Sequence, residues 1–96
     1  MKNLYHVKDI KAQAYLDPFT AGNDNVVKRQ LQSIIKDAKG DIGRYPEDFE
    51  LYRMGTYDEF RGIIELKEEF VCGLGKLIWN INSTIKTNME EKNKLS

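Results

Sequence analysis

The chain has 96 residues, which is enough for one hydrophobic core and too short for two, so the sequence predicts a single domain. Hydrophobic residues make up 41% of the chain and charged residues 31%, a balance that excludes an intrinsically disordered protein. The formal net charge is zero, which excludes a protein that coats nucleic acid through bulk positive charge.

Charge is unevenly distributed along the chain. Residues 1–40 hold seven basic and four acidic side chains, a net charge of +3. Residues 41–70 hold four and nine, a net charge of −5, and residues 71–96 hold four and two, a net charge of +2. Two interpretations stay open: the basic segments form one positive face, or the charges neutralise one another across the folded surface.

The first 25 residues predict two strands and a turn. Residues 4–10 alternate aromatic or β-branched residues with polar ones, which is typical of a strand. Residues 12–19 form a second extended segment, but Pro18 has no backbone N–H and confines that segment to a sheet edge or a strand end. A turn follows, in which Asn23 or Asp24 is placed to cap a helix.

A helix is predicted over residues 26–38. Val27, Leu31 and Ile34 recur at intervals of three and four residues, so they form an apolar stripe along one side of the helix. Gly40 is placed to end this helix in the left-handed conformation, and residues 41–48 then form a loop.

The second half predicts a hairpin followed by a second helix. Residues 49–55 and 62–66 are strand-like and are separated by a short polar connection. Apolar residues return at helical spacing over residues 75–91, and residues 92–96 are a frayed polar tail. The order β-β-α-β-β-α predicts one α+β domain over residues 1–91, with a mostly antiparallel sheet of about four strands and two helices.

The sequence offers no set of residues that points to catalysis. His6 is the only histidine and has no evident partner, so we interpret it as a structural or surface residue. Cys72, the only cysteine, is predicted to be a buried, inert thiol at the entrance to the last helix. The carboxylates at 47–50 and 58–59 lack the spacing of a calcium loop, and one Cys with one His cannot complete a structural zinc site. We therefore predict a non-enzymatic protein with no catalytic residues, no metal site and no cofactor.

Two features predict an intracellular protein without a membrane partner. Because Cys72 is the only cysteine, it cannot form an internal disulfide, which favours a reducing compartment. The longest apolar stretch, residues 70–79, is interrupted by Lys76 and is much shorter than the roughly 20 residues that a bilayer requires.

Binding is the remaining class of function, and the sequence offers two candidate surfaces. In the first, basic side chains on or after the first helix contact phosphates and a nearby tyrosine stacks on an unpaired base. This set consists of Lys28, Arg29, Lys36, Lys39, Arg44 and Tyr45. The alternative is that the basic groups are a solvated helix face and that the tyrosine covers the edge of the core. The second surface is the last helix, where Trp79 either anchors a protein partner or closes the core.

A resemblance to a known family rests on four segments: YHVKD (5–9), KAQAYLDPF (11–19), GRYPEDFELY (43–52) and GTYD (55–58). Together they resemble the small nonstructural protein of gokushovirus-type microviruses, the Chlamydia-phage-like group of single-stranded-DNA phages. The resemblance extends over about residues 4–66, and its specificity lies in the combination of segments.

The resemblance implies a phage protein that is made in the cytoplasm of the infected bacterial host and is not a capsid component. It implies DNA as the partner, in particular single-stranded phage DNA, and a role in viral DNA synthesis or the switch from replication to packaging. With zero net charge, such binding requires local positive groups and is expected to be salt-sensitive. The alternative is an adaptor that binds a host or phage replication protein, or a second copy as a homodimer, through the last helix or a sheet edge.

Overall fold

The structure is a computed structural model that describes residues 1–78, and it shows an α+β fold built on one five-stranded antiparallel sheet. The predicted fold class is confirmed. The elements are β1 (Lys2–Asp9), β2 (Ala14–Tyr15), β3 (Phe19–Ala21), α1 (Asp24–Lys36), α2 (Gly40–Arg44), a 3-10 turn (Pro46–Asp48), β4 (Phe49–Asp58) and β5 (Ile63–Gly73). Residues 75–78 are helical, so the predicted last helix begins where expected. The rest of that helix, Trp79 and the predicted tail lie outside the described residues.

The sheet is organised around β1. Its strand order is β2-β1-β4-β5, and β3 pairs with the same edge of β1 as β2 does. The predicted second extended segment therefore forms two short strands, with Pro18 between them. Because Pro18 has no N–H to donate, the ladder along β1 is interrupted at this point.

α1 begins and ends two residues earlier than predicted. The side chain of Asn23 accepts a hydrogen bond from the Val26 N–H at 3.0 Å, which confirms the cap. The helix ends at Lys36, and Ala38 takes the left-handed conformation with φ 50°. Gly40 instead begins α2, within the segment predicted as a loop. Gly40 does take the predicted left-handed conformation, with φ 62°. The prediction that it ends the first helix is wrong, because the chain turns two residues before it.

The hairpin strands are longer than predicted. β4 continues to Asp58 and β5 to Gly73, so Cys72 lies inside β5 and its predicted position at the helix entrance is wrong. β-Bulges interrupt the pairing at two places, near Leu51 and near Arg53, and allow this long hairpin to keep its buried side against the core. Gly55 lies so close to the Glu65 carbonyl that any side chain there would collide with it.

The core lies between α1 and one face of the sheet. Tyr5, Val7 and Leu51 from the sheet pack with Val27 and Leu31 from α1, and each of these side chains is at most 5% exposed. The predicted apolar stripe of the helix is therefore confirmed as core. Phe49, Cys72, Leu74 and Leu77 complete the buried cluster.

A polar cluster fixes the first turn of α1 against the sheet. The Tyr5 hydroxyl donates to Asp24 Oδ1 at 2.6 Å, and Arg53 Nη1 lies 3.4 Å from the same oxygen. Arg53 Nη2 donates to Glu69 Oε2 at 2.5 Å. The cluster thus joins α1, β1, β4 and β5 through charge-assisted hydrogen bonds, which are stronger than neutral ones.

Candidate functional site

The sheet face opposite α1 holds four aromatic rings, one from each strand of the order β2-β1-β4-β5. Side chains alternate between the two faces of a strand, so His6, which lies between the buried Tyr5 and Val7, points away from α1. His6 pairs in register with Tyr52, and Tyr52 pairs with Phe70. We call the four rings the aromatic row: Tyr15, His6, Tyr52 and Phe70.

The rings of the aromatic row contact one another. Tyr15 stacks on His6 with centroids 4.2 Å apart and an interplanar angle of 19°. Tyr52 meets His6 edge to face at 6.1 Å and meets Phe70 at 5.5 Å and 66°. The two edge-to-face pairs fall within the favourable range of about 4.5–7 Å. Together with the closer Tyr15–His6 stack, they help to fix the orientation of each ring.

The two ends of the aromatic row are open to solvent. Tyr15 is 48% exposed and Phe70 is 56% exposed, whereas the His6 side chain is only 12% exposed. The outer rings therefore present exposed aromatic surface, whereas His6 is largely covered by its neighbours. Such surface stacks on the face of any unpaired base.

The polar groups around the aromatic row hold its inner rings in place. His6 Nε2 lies 3.0 Å from Glu68 Oε1, and the Tyr52 hydroxyl donates to Glu50 Oε1 at 3.4 Å. Burial raises the pKa of Tyr52, and the neighbouring Glu50 raises it further, so this hydroxyl stays protonated and remains a donor. At the outer end, Lys8 Nζ lies 5.7 Å from the centre of the Tyr15 ring, a cation–π contact.

The structure places the predicted basic residues on α1, on α2 and in the turn between them, and of these only Lys28 lies near the aromatic row. Arg29 and Lys36 are exposed and lie seven residues apart, so they share one side of α1. Lys28 is half-buried and lies beside Phe70, at the edge of β5. Whether these residues bind DNA stays a prediction.

The remaining predicted residues follow α1. Lys39 Nζ lies 4.0 Å from Asp37 Oδ2, and Arg44 Nη2 lies 3.7 Å from Asp41 Oδ1. These two cations therefore sit next to carboxylates that offset their charge. Tyr45 is 57% exposed, so its ring does not cover the core in the way that the alternative interpretation required.

Sequence reasoning missed the aromatic row. His6 was interpreted as a lone histidine, and Tyr15, Tyr52 and Phe70 were not assigned to a site. A local signal existed, because alternation within β1 places His6 opposite the core. Only the order of the strands brings the four rings together, and no local segment of the sequence predicts that order.

The remaining chemically reactive groups do not assemble into a second site. Burial raises the pKa of the Cys72 thiol, while Lys28 and Lys76 act in the opposite direction, which fits the predicted inert thiol. Within residues 1–78, no three His, Cys, Asp or Glu side chains lie together in a way that would hold a metal ion. In the same part of the chain, no helix has the length and apolarity to cross a membrane.

The chain is similar to a known protein family over most of its length. The sequence pattern of the family described as Phage ORF5 protein matches residues 2–77, which includes all five strands and both helices α1 and α2. No curated protein and no solved structure matches the chain.

Proposed function

Because this chain belongs to the Phage ORF5 protein family, we propose that it is a nonstructural phage protein that binds single-stranded DNA through the aromatic row. Family membership confirms the phage protein that the sequence predicted. The finer proposal is the one implied by the resemblance to gokushovirus-type microviruses. The protein acts without catalysis in the cytoplasm of the infected host, in viral single-strand synthesis or the switch from replication to packaging.

The observation behind this proposal is the aromatic row on the open face of an antiparallel sheet. Base stacking on an aromatic side chain contributes about 1–3 kcal/mol per base and tolerates any sequence. Four-stranded sheets in other nucleic-acid-binding modules stack two or three unpaired bases on exposed rings in this way. Two exposed rings, at Tyr15 and Phe70, supply that surface here.

The aromatic row favours a single strand over a duplex. In a duplex the faces of the bases are already stacked on one another, so a ring on a flat sheet cannot reach them without unstacking. Stacking also reduces the need for positive charge. The proposal therefore accommodates a chain whose net charge is zero.

The test is the affinity for a labelled oligothymidylate, measured by fluorescence anisotropy at low salt. Phe70→Ala should weaken binding by about 5- to 150-fold, the equivalent of about 1–3 kcal/mol for one lost base stack. Phe70→Trp, which keeps a ring at this position, should bind close to normally. Phe60→Ala is the matched control, because Phe60 is 89% exposed and lies outside the aromatic row.

Two results would count against the aromatic row as the site. Equal losses in Phe70→Ala and Phe60→Ala would show that any exposed ring contributes nonspecifically. Loss of binding in an Arg29→Glu/Lys36→Glu variant, with Phe70→Ala unchanged, would move the site to the outer side of α1. Circular dichroism spectra of each variant check that the fold is intact.

A second candidate function is an adaptor for a host or phage replication protein. Exposed apolar side chains on the hairpin favour it, because such groups on a monomer often mark a contact with another protein. Leu66 is 75% exposed and Ile64 is 53% exposed, and β5 is the edge of the described sheet. Partners that stay bound in a pull-down after nuclease treatment, and are lost with Leu66→Asp, would support the adaptor.

A further inference from the structure

A cavity of about 550 Å³ opens at the edge of β5, beside the aromatic row. Two lysines from different elements line it: Lys28 from α1 and Lys76 from the helical residues 75–78. The rest of its wall comes from β5 and the segment after it, including Phe70 and Cys72. We call this cavity the lysine pocket.

The lysine pocket has the chemistry of an anion site. Lys28 and Lys76 line a cavity whose wall also contains the buried, apolar side chains of Cys72 and Leu77. Within residues 1–78, no carboxylate oxygen lies within 4.0 Å of either ammonium nitrogen. Electrostatic attraction to an anion is stronger at such a place than in open water.

The lysine pocket continues the aromatic row, because Phe70 belongs to both. A base stacked on Phe70 belongs to a nucleotide whose phosphates lie within a few ångströms of the ring, and the two lysines line the same cavity as that ring. At the other end of the row, Lys8 lies over Tyr15. Positive groups therefore stand at both ends of the row.

The middle of the aromatic row is less suited to phosphate. Glu50 and Glu68 lie beside Tyr52 and His6, respectively, and their carboxylates would repel a phosphate placed there. This arrangement favours bases over the centre of the sheet face and phosphates at its two edges.

We propose that Lys28 and Lys76 bind a backbone phosphate of the same single strand whose bases stack on the aromatic row. The strand then runs across the sheet, from Tyr15 at the β2 edge to the lysine pocket at the β5 edge. This inference rests on the proposed function and adds the path of the DNA backbone to it.

The experiment measures how the affinity for a labelled oligothymidylate changes with salt concentration. For a single strand, each phosphate contact contributes about 0.7 to the slope of log K against log salt. Lys28→Gln/Lys76→Gln removes one phosphate contact, so it should lower the slope by about 0.7 and weaken binding by about tenfold at low salt. Lys28→Arg/Lys76→Arg, which keeps both charges, should retain the slope.

The matched control is Lys36→Gln/Lys39→Gln, which removes the same charge from the other end of α1. It should change the affinity by less than about twofold, since these groups lie away from Phe70. Equal reductions in slope for the two pairs would overturn the proposal and indicate attraction by overall charge.

Failure of this inference can be told apart from failure of the proposed function. Suppose that Phe70→Ala weakens binding while Lys28→Gln/Lys76→Gln changes neither affinity nor slope. Phosphate binding by the lysine pocket is then overturned, and base stacking on the aromatic row is supported. If the unmodified protein does not retain the oligonucleotide at low salt, both proposals fall. Thermal unfolding of each double variant verifies that the lysines were replaced without loss of fold.

Discussion

β1 and β4 place two different kinds of side chain on the two faces of one sheet. On the face under α1, Tyr5 and Leu51 are 0% exposed and belong to the core. One residue along each strand, His6 and Tyr52 face the open side and contact other rings and carboxylates. Stability therefore depends mainly on the covered face. On the open face, the side chains contact one another but remain partly exposed to solvent. Substitutions on the two faces should separate stability from binding.

The largest effect on stability is expected at Leu51, at the centre of the covered face. Leu51→Ala leaves a cavity and should lower the free energy of unfolding by about 2–5 kcal/mol. That is a large part of the total of about 5–10 kcal/mol expected for a small domain. Urea unfolding followed by circular dichroism measures it. Leu66→Ala on the exposed hairpin is the control and should cost no more than about 0.5 kcal/mol.

A smaller effect is expected at the polar cluster. Tyr5→Phe removes the hydroxyl that donates to Asp24, which should cost about 1 kcal/mol, while Arg53 still pairs with the Asp24 carboxylate. The same urea titration measures this loss. A cost as large as that of Leu51→Ala would mean that the hydroxyl, and not the apolar contacts, holds α1 against the sheet.

The pKa of Tyr5 adds a pH dependence on the alkaline side. Burial raises this pKa above its ordinary value of 10.0, and the hydrogen bond to Asp24 raises it further. A raised pKa in the folded state means that stability is fully present below pH 10 and is lost as the pH rises through the folded value. Tyr5→Phe should therefore flatten the fall of the unfolding midpoint above pH 10. An equally steep fall in this variant would assign the alkaline loss to other groups, such as Tyr52, whose pKa is also raised.

The smallest effect on stability is expected on the open face. Phe70→Ala removes a ring that is 56% exposed and should lower the free energy of unfolding by less than about 1 kcal/mol. The same variant should show the largest loss of DNA binding. If its cost in the urea titration approaches that of Leu51→Ala, the open face is a second core and the contrast between the faces fails.

The elements of this fold were predictable where their signals are local. Periodicity identified α1 and both strands of the hairpin, and residue type narrowed the helix cap to Asn23 or Asp24. The end of α1 was missed because Ala38, a poor residue for the left-handed conformation, adopts it there. After this turn α2 packs closely on the end of α1: Gly43 lies so near the backbone of Ala38 and Ile34 that no side chain would fit there.

The candidate site was much less predictable than the fold. Its four rings lie at positions 6, 15, 52 and 70, and only the pairing of distant strands brings them together. The bulges near Leu51 and Arg53 add to the difficulty, because each one changes which side chains of β5 face the open side. Basic residues on a helix gave a more visible signal in the sequence, and it pointed to a different surface.

The shortness of β2 has a consequence for the local stability of this sheet edge. β2 contributes two residues, and no residue from 10 to 18 is buried. Local opening of this segment therefore breaks few contacts and has a low free-energy cost compared with global unfolding. The core under α1 does not depend on this segment. The amide protons of the β2 edge should therefore exchange faster than those of β1 and β4, which hydrogen exchange measures.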